Sequence, residues 1–473
     1  AIEARVVAEV PGALGRLRFS HALIRDTLYD ALSTARRIRL HRSLGDVLEQ
    51  LYAADPDPHL AELAHHFFEA APGGDIDRAI DYARRAGDRA AALYGYEDAV
   101  RLYRMSLEAL DFRESGDDAA RCDLLVRLGE ALARAGDEAA AKATFLAAAE
   151  IARRARQPDQ LARAALGYGG RYLWVRAGGD PHVVPLLEDA LAALPEGDSP
   201  TRVRLMGRLA CARRSDPDRE PGAALSEQAV AMARRLGDAA TLAYALDAHY
   251  GAHWWYDNPW QRLDLAAELA EVARESRDGE RIAQAHLAQL AVLLELGRIP
   301  EAEAVLAGLA RVADEIRQPS QQWMPAATRG MLALFRGEFA EAEELMGEAL
   351  RVGEAAVTFD AEACFRANSY WLRREQGRFD GLEAAMRRTA DELSWYPMFR
   401  CFLAELYDDL DREADARRVF DELVANDFEA LLPRDNEWLL GASALADVCA
   451  YVGDTGAAQK LYDELLPVAD LNV

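Results

Sequence analysis

Two groups of histidines are candidates for binding a metal ion because imidazole is a common metal ligand. His249 and His253 lie four residues apart in the stretch AHYGAHWWYDNPW, and histidines at that spacing share one face of a helix, where they can chelate a metal. The nearest remote candidate for a third ligand is His286, and its position is not fixed by the sequence. We therefore interpret this pair as packing residues, with metal binding as the alternative.

The second group is the string HLAELAHHF, with His59, His65 and His66. His59 and His66 are seven residues apart, which places them about 10 Å apart along a helix axis. One zinc ion with bonds of about 2.1 Å cannot bridge that distance unless the chain bends. We interpret this group as packing or capping residues, so neither group predicts a metal.

Sequence motifs for catalysis and for phosphate binding are missing. The pattern GxxxxGK[ST] does not occur, and the glycine-rich pieces GYGGRY and RAGGDP lack both the lysine and the preceding apolar strand that a phosphate site needs. GxSxG, HExxH and CxxC are also missing. We therefore predict no enzymatic activity, no catalytic residue and no cofactor.

Composition restricts the partners and the compartment. The chain has 473 residues, of which 51% are hydrophobic and 29% charged, and its net charge is −25. A surface this acidic repels phosphate backbones, so we expect no direct nucleic acid binding. No uncharged apolar run reaches about 18 residues, so we expect no membrane span. Five widely spaced cysteines indicate buried free thiols in a reducing, cytoplasmic environment.

The elements that must position any site are paired helices. In RLGEALARAGDEAAAKATFLAAAEIARR, small and apolar residues recur at helical spacing up to Gly136, where a residue without Cβ can take a positive φ and end the helix. A second helix follows with Ala141 and Phe145. Small residues at a crossing and one large residue between the helices are typical of tetratricopeptide repeats.

Turns of this kind between paired helices recur along the chain with a period of about 40 residues. We place the turns between paired helices at Tyr94, Gly136, Gly178, Arg219, Asn258, Gly297, Gly337, Gly377, Asp411 and Gly453. The sequence thus predicts an all-α protein, a right-handed superhelix of about ten tetratricopeptide-like helix pairs with lengthened helices. Another type of α-solenoid is the alternative.

In such an array the first helix of each pair lines a concave groove, so the groove positions follow from the turns. Counting back from each turn selects Tyr172, Arg176, Trp255, Tyr256, Met331, Phe335, Trp371 and Arg374. Aromatic and arginine side chains there suit a ligand or peptide site, because they offer large contact area at low entropic cost. The alternative is that these aromatics fill the core between long helices.

Several stretches resemble a known family, and their order along the chain is more specific than any one of them. They are FSHALIRDTLYDALSTARRIRLHRSLGDVLE, HLAELAHHF, LLEDALAALPEGDSPTRVRLMGRLA, SEQAVAMARRLGDAATLAYALDA and PRDNEWLLGASALADVCAYVGD. They resemble the region after the ATPase core in STAND-type bacterial signal-transduction ATPases, akin to the maltose regulator and to the large LuxR-type and cyclase-linked ATPases of actinobacteria. In that family a winged-helix module follows the nucleotide-binding core and precedes a helical repeat array.

The resemblance also suggests an explanation for the start of the chain. Val6–Val10, the turn PGALG and Leu17–Ser20 look like the wing of a winged-helix domain. We therefore expect a winged-helix remnant over residues 1–55 and a tetratricopeptide-like solenoid over residues 56–473. A hairpin that caps the solenoid is the alternative.

A basic run, ARRIRLHR, lies in this first region. Its apolar neighbours Ile38, Leu40, Leu44, Val47 and Leu48 indicate an amphipathic helix with a charged outer face. We expect that face to turn toward the ATPase core rather than to bind phosphate. An ordinary solvated face is the alternative.

Together these features predict a non-catalytic sensor or scaffold domain of a signalling ATPase that regulates transcription. Its partners would be the upstream ATPase domain of the same polypeptide and a protein or small-molecule inducer in the groove. The alternative is a purely structural assembly scaffold without a small-molecule ligand.

Overall fold

The structure is a computed structural model of the chain. It describes residues 6–9, 17–113, 116–170, 173, 180–316, 318–355, 359–394, 396–425, 428, 435 and 437–472. Contacts divide the chain into two compact units, residues 1–157 and residues 158–473.

The first unit begins with a small antiparallel hairpin, formed by β1 (Val7–Glu9) and β2 (Leu17–Phe19). Val7 pairs with Phe19 and Glu9 with Leu17, and the Ser20 amide donates to the Val6 carbonyl at 3.0 Å. The predicted hairpin is therefore confirmed within one residue at each strand. The PGALG turn lies outside the described residues.

The other regular elements among the described residues are helices. The first unit contains α1 (Ala22–Asp30), α2 (Thr34–Leu51), α3 (Leu60–Ala70), α4 (Ile76–Ala92), α5 (Tyr96–Asp111), α6 (Asp118–Ala135) and α7 (Glu138–Arg154). The second unit contains α8 (Pro158–Tyr168), α9 (Val183–Ala193), α10 (Pro200–Ala212), α11 (Glu220–Leu236), α12 (Ala239–Ala252), α13 (Pro259–Ser276), α14 (Gly279–Glu295), α15 (Ile299–Ile316), α16 (Pro319–Phe335), α17 (Phe339–Ala355), α18 (Phe359–Glu375), α19 (Leu382–Glu392), α20 (Met398–Asp409), α21 (Glu413–Val424), α22 (Trp438–Val452) and α23 (Thr455–Leu465). Short 3₁₀ turns cover Asp57–His59, Ala71–Gly73 and Leu466–Val468.

The predicted turns fall between the paired helices from α4 to α23. Seven of the predicted turn residues have a left-handed backbone, with φ between 54° and 91°: Tyr94, Gly136, Gly297, Gly337, Gly377, Asp411 and Gly453. Arg219 and Asn258 instead lie directly before α11 and α13, and Gly178 lies outside the described residues. Helices α4 to α23 thus form ten pairs, and the predicted all-α repeat fold is confirmed.

A glycine on the first helix and an aromatic ring on the second let the paired helices approach closely. A Cβ added to Gly129 would lie 2.7 Å from the Phe145 ring, and one added to Gly87 would lie 2.6 Å from the Tyr103 ring. Both pairs are sixteen residues apart, so the contact repeats from one helix pair to the next. The predicted small-residue crossing is confirmed by burial: Ala141 is 2% exposed, and Ala302 and Ala342 are fully buried.

Each unit has its own apolar core. In the first unit, Leu63, Phe67 and Tyr82 pack between α3 and the helices that follow it. In the second unit, the largest cluster lies among α18 to α23 and includes Phe399, Phe402 and Phe420. Among the described residues the five cysteines form no disulfide; four are buried, as the sequence predicted, and Cys364 is half-buried.

The interpretation of α2 needs a correction. The sequence assigned one apolar face to this helix, but its apolar residues divide between two faces. Leu48 packs against the core of the first unit, whereas Leu40, Leu44 and Val47 are 44%, 49% and 61% exposed. The reason is that α3 covers only the strip of α2 that contains His41 and Gly45.

No helix among the described residues is long and apolar enough to span a membrane. The predicted domain boundary between residues 55 and 56 stays a prediction.

Candidate functional site

The predicted groove residues occupy three separate places in the second unit. Tyr172 and Arg176 lie outside the described residues. Met331 and Phe335 lie on α16, Trp371 and Arg374 on α18, and Trp255 with Tyr256 in the loop after α12. That these places together form one recognition surface stays a prediction.

On α16, Met331 and Phe335 present apolar side chains to solvent. They are one helical turn apart, and their side chains are 36% and 75% exposed. On the opposite side of this helix, Leu332 and Ala333 are buried. Exposing a phenylalanine to this degree costs hydrophobic free energy, about 25 cal/mol per Å² of apolar surface, that contact with a partner would recover.

On α18, Trp371 and Arg374 are held by neighbouring side chains. The Trp371 ring is half-buried and meets Phe402 edge-on at a centroid distance of 5.5 Å. The Arg374 guanidinium lies 5.1 Å from the centre of the Trp371 ring and forms ion pairs with Glu405 at 3.1 Å and Asp409 at 2.6 Å. The sequence analysis placed this arginine in the groove, and the structure already provides its guanidinium with two carboxylates.

Glu405 is the most perturbed carboxylate of this cluster. It is 1% exposed, and burial raises its pKa to about 7, although the Arg374 charge and the Tyr370 hydroxyl act in the opposite direction. Asp409 and Asp447 add like charge, which raises the pKa further. The Glu405 carboxyl group therefore titrates near neutral pH.

The loop after α12 contains the two residues that the sequence analysis placed on a first helix. Helix α12 ends at Ala252, so Trp255 and Tyr256 follow it instead of lying on its face. The Tyr256 ring is 8% exposed and stacks on Trp438 at a centroid distance of 4.3 Å. Tyr256 therefore belongs to the apolar core, as the alternative for these aromatics predicted.

Trp255 differs from Tyr256 in its exposure and in its hydrogen bonding. Its side chain is half-buried, and the Arg219 guanidinium lies 4.6 Å from the centre of the ring. The indole N–H is buried, and it has no hydrogen-bond acceptor among the residues that the structure describes. A buried donor without an acceptor costs free energy, which contact with a carbonyl or carboxylate oxygen would recover.

Polar contacts between successive first helices are a feature that the sequence analysis missed. Asp247 of α12 and Arg281 of α14 form a buried ion pair, and Gln284 of α14 donates to Gln321 of α16 at 3.3 Å. The partners are 34 and 37 residues apart, close to the repeat period. The sequence did contain a signal for these contacts: charged and amide side chains recur at this spacing inside otherwise apolar helices.

Similar contacts join α12, the loop after it and α13 to α14. The buried Arg262 guanidinium forms an ion pair with Glu295, and the Trp254 indole donates to Glu295 at 3.2 Å. The Tyr250 hydroxyl donates to the Ala288 carbonyl at 2.9 Å. These groups bond to one another, so they hold neighbouring repeats together.

His249 and His253 have the packing role that the sequence analysis favoured. Their rings are 4.1 Å apart, His249 Nδ1 lies 2.9 Å from the Ser226 hydroxyl, and His253 Nδ1 lies 3.0 Å from the His249 carbonyl oxygen. Burial lowers the pKa of His249 to about 4, so its imidazole is neutral at pH 7. The remote candidate His286 packs against Gly308 instead.

The three histidines of the HLAELAHHF stretch lie in two places. His59 stacks on the Tyr52 ring at 3.5 Å, away from the others. His65 and His66 instead meet His41 of α2, and among the described residues these three form the only group of histidine, cysteine and acidic side chains with metal-binding spacing. Sequence spacing could not reveal this group, because His41 comes from another helix.

Comparison with known proteins gives the fold of this chain. Among solved structures it is similar to the Rap protein complexed with Competence and Sporulation Factor, at 14% identity and a TM-score of 0.52; the match covers 74% of this chain and 97% of that one. It also matches the STAND protein with a tetratricopeptide repeat sensor from Pyrococcus horikoshii, at 10% identity and a TM-score of 0.40. That match covers 73% of this chain and 56% of the length of the other. No protein-family model matches the chain. The comparison with curated proteins gives no significant match.

The chain therefore has the fold of tetratricopeptide-type helical repeat proteins. At these identities the likeness is evidence for the fold alone.

Proposed function

We propose that this chain is the non-catalytic sensor arm of a signalling ATPase, and that its repeat array binds a protein partner or an inducer. The observation that carries the proposal is Phe335, whose ring is 75% exposed at the end of a first helix. Helical repeats of this type expose such side chains on the surface that partners contact.

Two further observations support a recognition surface in the second unit. Met331 extends the exposed apolar surface by one helical turn, and the Trp255 indole N–H offers an unused buried donor among the described residues. Apolar area with a few fixed polar groups is the usual composition of a binding site. The Arg374 cluster would hold the neighbouring helices in place for that surface.

The proposed link to an ATPase core rests on the first unit and on the family resemblance. Leu40, Leu44, Val47 and Leu51 follow one another at intervals of four, three and four residues on α2, and all four are exposed. An apolar stripe of this kind on a described helix supports contact with a further domain. The upstream ATPase of the same polypeptide is the domain that the resemblance implies.

The test is a matched pair of alanine variants in the intact regulator. Phe335→Ala should reduce the partner- or inducer-dependent output about tenfold or more, because truncating an anchoring residue removes much of the binding energy. Its stability should change by no more than about 0.5 kcal/mol, because the ring is exposed. Melting temperature and ATPase or reporter output are measured on the same preparations.

Tyr462→Ala is the control. Tyr462 is 60% exposed and lies on α23, a second helix of its pair, so its removal should leave the output unchanged. If Phe335→Ala and Tyr462→Ala both respond like the wild type, α16 is not the recognition surface. The structural scaffold without a ligand would then be the better description.

A further inference from the structure

Three histidines from two helices meet in the first unit, at a place that the proposed function does not use. His41 lies on α2, and His65 and His66 lie on α3. Each of the three offers one ring nitrogen, and these three nitrogen atoms lie within 4.8 Å of one another. We propose that His41, His65 and His66 bind one divalent transition-metal ion, with Zn²⁺ as the ion that this set of ligands suits.

The distances are close to those of a bound ion. His41 Nδ1 and His66 Nδ1 are 2.9 Å apart. In a tetrahedral site with zinc–nitrogen bonds of 2.0–2.1 Å, two ligand nitrogens lie about 3.4 Å apart. The two rings need to separate by about half an ångström, which small side-chain rotations provide. The His65 ring lies 5.3 Å from each of the other two rings and supplies the third ligand by a similar rotation.

The protons can be accounted for. Two Nδ1 atoms at hydrogen-bond distance share one proton, so one imidazole donates and the other accepts. When a zinc ion binds the lone pairs of both Nδ1 atoms, the donating imidazole passes its Nδ1 proton through solvent to its own Nε2, so both rings stay neutral and no net proton is released. Nothing is oxidised or reduced in this exchange, and His65 contributes the lone pair of a neutral ring.

The side chains that contact His41 orient its ring in the way that hydrogen-bond partners orient the histidine ligands of metal ions. His41 Nε2 lies 3.0 Å from the Tyr29 hydroxyl, and that hydroxyl donates to Glu69 at 3.5 Å. If Nε2 carries the proton and donates to Tyr29, Nδ1 keeps its lone pair for the ion. A hydrogen bond from the second ring nitrogen to an oxygen, supported in turn by a carboxylate, commonly fixes the tautomer of a metal-binding histidine.

Packing alone accounts for two of the three residues. The hydrogen bond between the Nδ1 atoms explains why His41, which is 6% exposed, and His66 lie together. It does not explain why His65, an exposed residue, keeps its ring over both of them. Its exposure gives an ion access from solvent, and water can occupy the fourth position. The bound ion would fasten α2 to α3.

The experiment measures Zn²⁺ binding to the full chain after removal of metals with a chelator. The protein competes with a chromophoric chelator for Zn²⁺, and Co²⁺ reports the coordination geometry by its visible absorption. The test variants are His65→Ala, which changes an exposed side chain and should fold, and His66→Gln. His59→Ala is the matched control, because His59 belongs to the same sequence motif and lies outside the cluster. Circular dichroism confirms that each variant is folded.

We expect one Zn²⁺ per chain and a tetrahedral Co²⁺ spectrum for the wild type and for His59→Ala. His65→Ala and His66→Gln should weaken binding about 100-fold or more, since loss of a ligand costs at least as much as loss of an outer partner. The proposal is overturned if the wild type binds no stoichiometric ion, or if His65→Ala binds as tightly as His59→Ala. Weak binding of many ions, equal in all four proteins, would identify the acidic surface as the binding site and would also overturn it.

Discussion

Tyr370 donates a hydrogen bond of 3.1 Å to Glu405, and each of these residues is only 1% exposed. The two residues lie 35 positions apart, on the first helices of successive pairs, so the contact joins one repeat to the next. It places a carboxyl group in the core, where water cannot stabilise its charge. Four neighbouring groups, Arg374, Tyr370, Asp409 and Asp447, influence its protonation.

This relationship predicts how stability depends on pH. The Glu405 carboxyl ordinarily titrates at 4.5, and burial raises its pKa to about 7 in the folded chain. Between these pH values the Glu405 carboxyl keeps a proton in the folded state that it has lost in the unfolded state. Its contribution to the free energy of unfolding is therefore fully present below about pH 4.5 and is lost as the pH rises through 7. A shift of this size corresponds to about 3 kcal/mol.

Glu405→Gln should remove that dependence, because the amide is neutral throughout. Denaturant unfolding at pH 5 and pH 8 should show a larger loss of stability for the wild type than for the variant. Glu413→Gln, an exposed change on α21, should behave like the wild type. Equal pH dependence of wild type and Glu405→Gln would show that Glu405 is ionised throughout this range.

The crossing of α6 and α7 leads to a prediction about glycine. Gly129→Ala places a methyl group 2.7 Å from the Phe145 ring, so the helices must separate or the ring must move. Overpacking of this kind costs about 1–3 kcal/mol, and the free energy of unfolding measured in urea should fall by that amount.

Gly347→Ala is the matched control for this change. Gly347 lies inside α17, and a Cβ added there would meet nothing within 4 Å. The substitution should therefore stabilise the chain by about 0.5–1 kcal/mol through helix propensity. If both variants gain stability, the close approach of Gly129 and Phe145 is not a constraint on the fold.

The buried pair Asp247–Arg281 should be sensitive to loss of one partner. Asp247→Ala leaves the Arg281 guanidinium in the core without its carboxylate, which costs about 3–5 kcal/mol. Replacing both residues, Asp247→Leu with Arg281→Met, should recover much of this loss, because neither apolar side chain needs a partner.

Glu301→Ala removes an exposed ion pair with Arg298 and serves as the comparison. Its cost should stay below about 1 kcal/mol, as for other surface pairs. Thermal and urea unfolding of the three variants and of the wild type measure these differences. A cost for Asp247→Ala no larger than that for Glu301→Ala would mean that solvent reaches the Asp247–Arg281 pair.

DNA binding by this chain should be weak and independent of sequence. Its net charge of −25 disfavours a polyanion, and the binding free energy of such complexes comes largely from phosphate contacts. Fluorescence anisotropy with labelled duplexes at physiological salt should give no nanomolar complex. A tight, sequence-selective complex would contradict the charge argument and would identify the N-terminal region as a DNA reader.

The sequence predicted the helix pairs well because their limits are set locally. A left-handed residue ends a helix through its own backbone, so glycines such as Gly136 and Gly453 mark the turns without reference to the rest of the fold. Asp411 and Tyr94 have the same backbone without glycine, and the repeat period located them. The contact between Gly129 and Phe145 was foreseeable for the same reason, since only one turn separates the two helices.

Local sequence signals did not predict where α12 ends or which individual aromatic side chains are exposed. The groove positions were counted along a helix that was assumed to reach the turn, but α12 ends at Ala252 and the chain continues as a loop to Asn258. Tyr256 is buried because Trp438, 182 residues later, stacks on it. Phe335, selected by the same counting, is exposed.

By itself, then, the sequence determined the repeat class, the positions of the turns and the small residues at the crossings, because these depend on backbone conformation and on spacing within one helix pair. The tertiary structure alone decided which side chains meet between repeats. The buried pair of Asp247 and Arg281 and the contact of His41 with His66 each join residues from different helices, 34 and 25 positions apart. Their partners are chosen by how helices pack, and a periodic sequence does not specify which face of a helix its neighbour will cover.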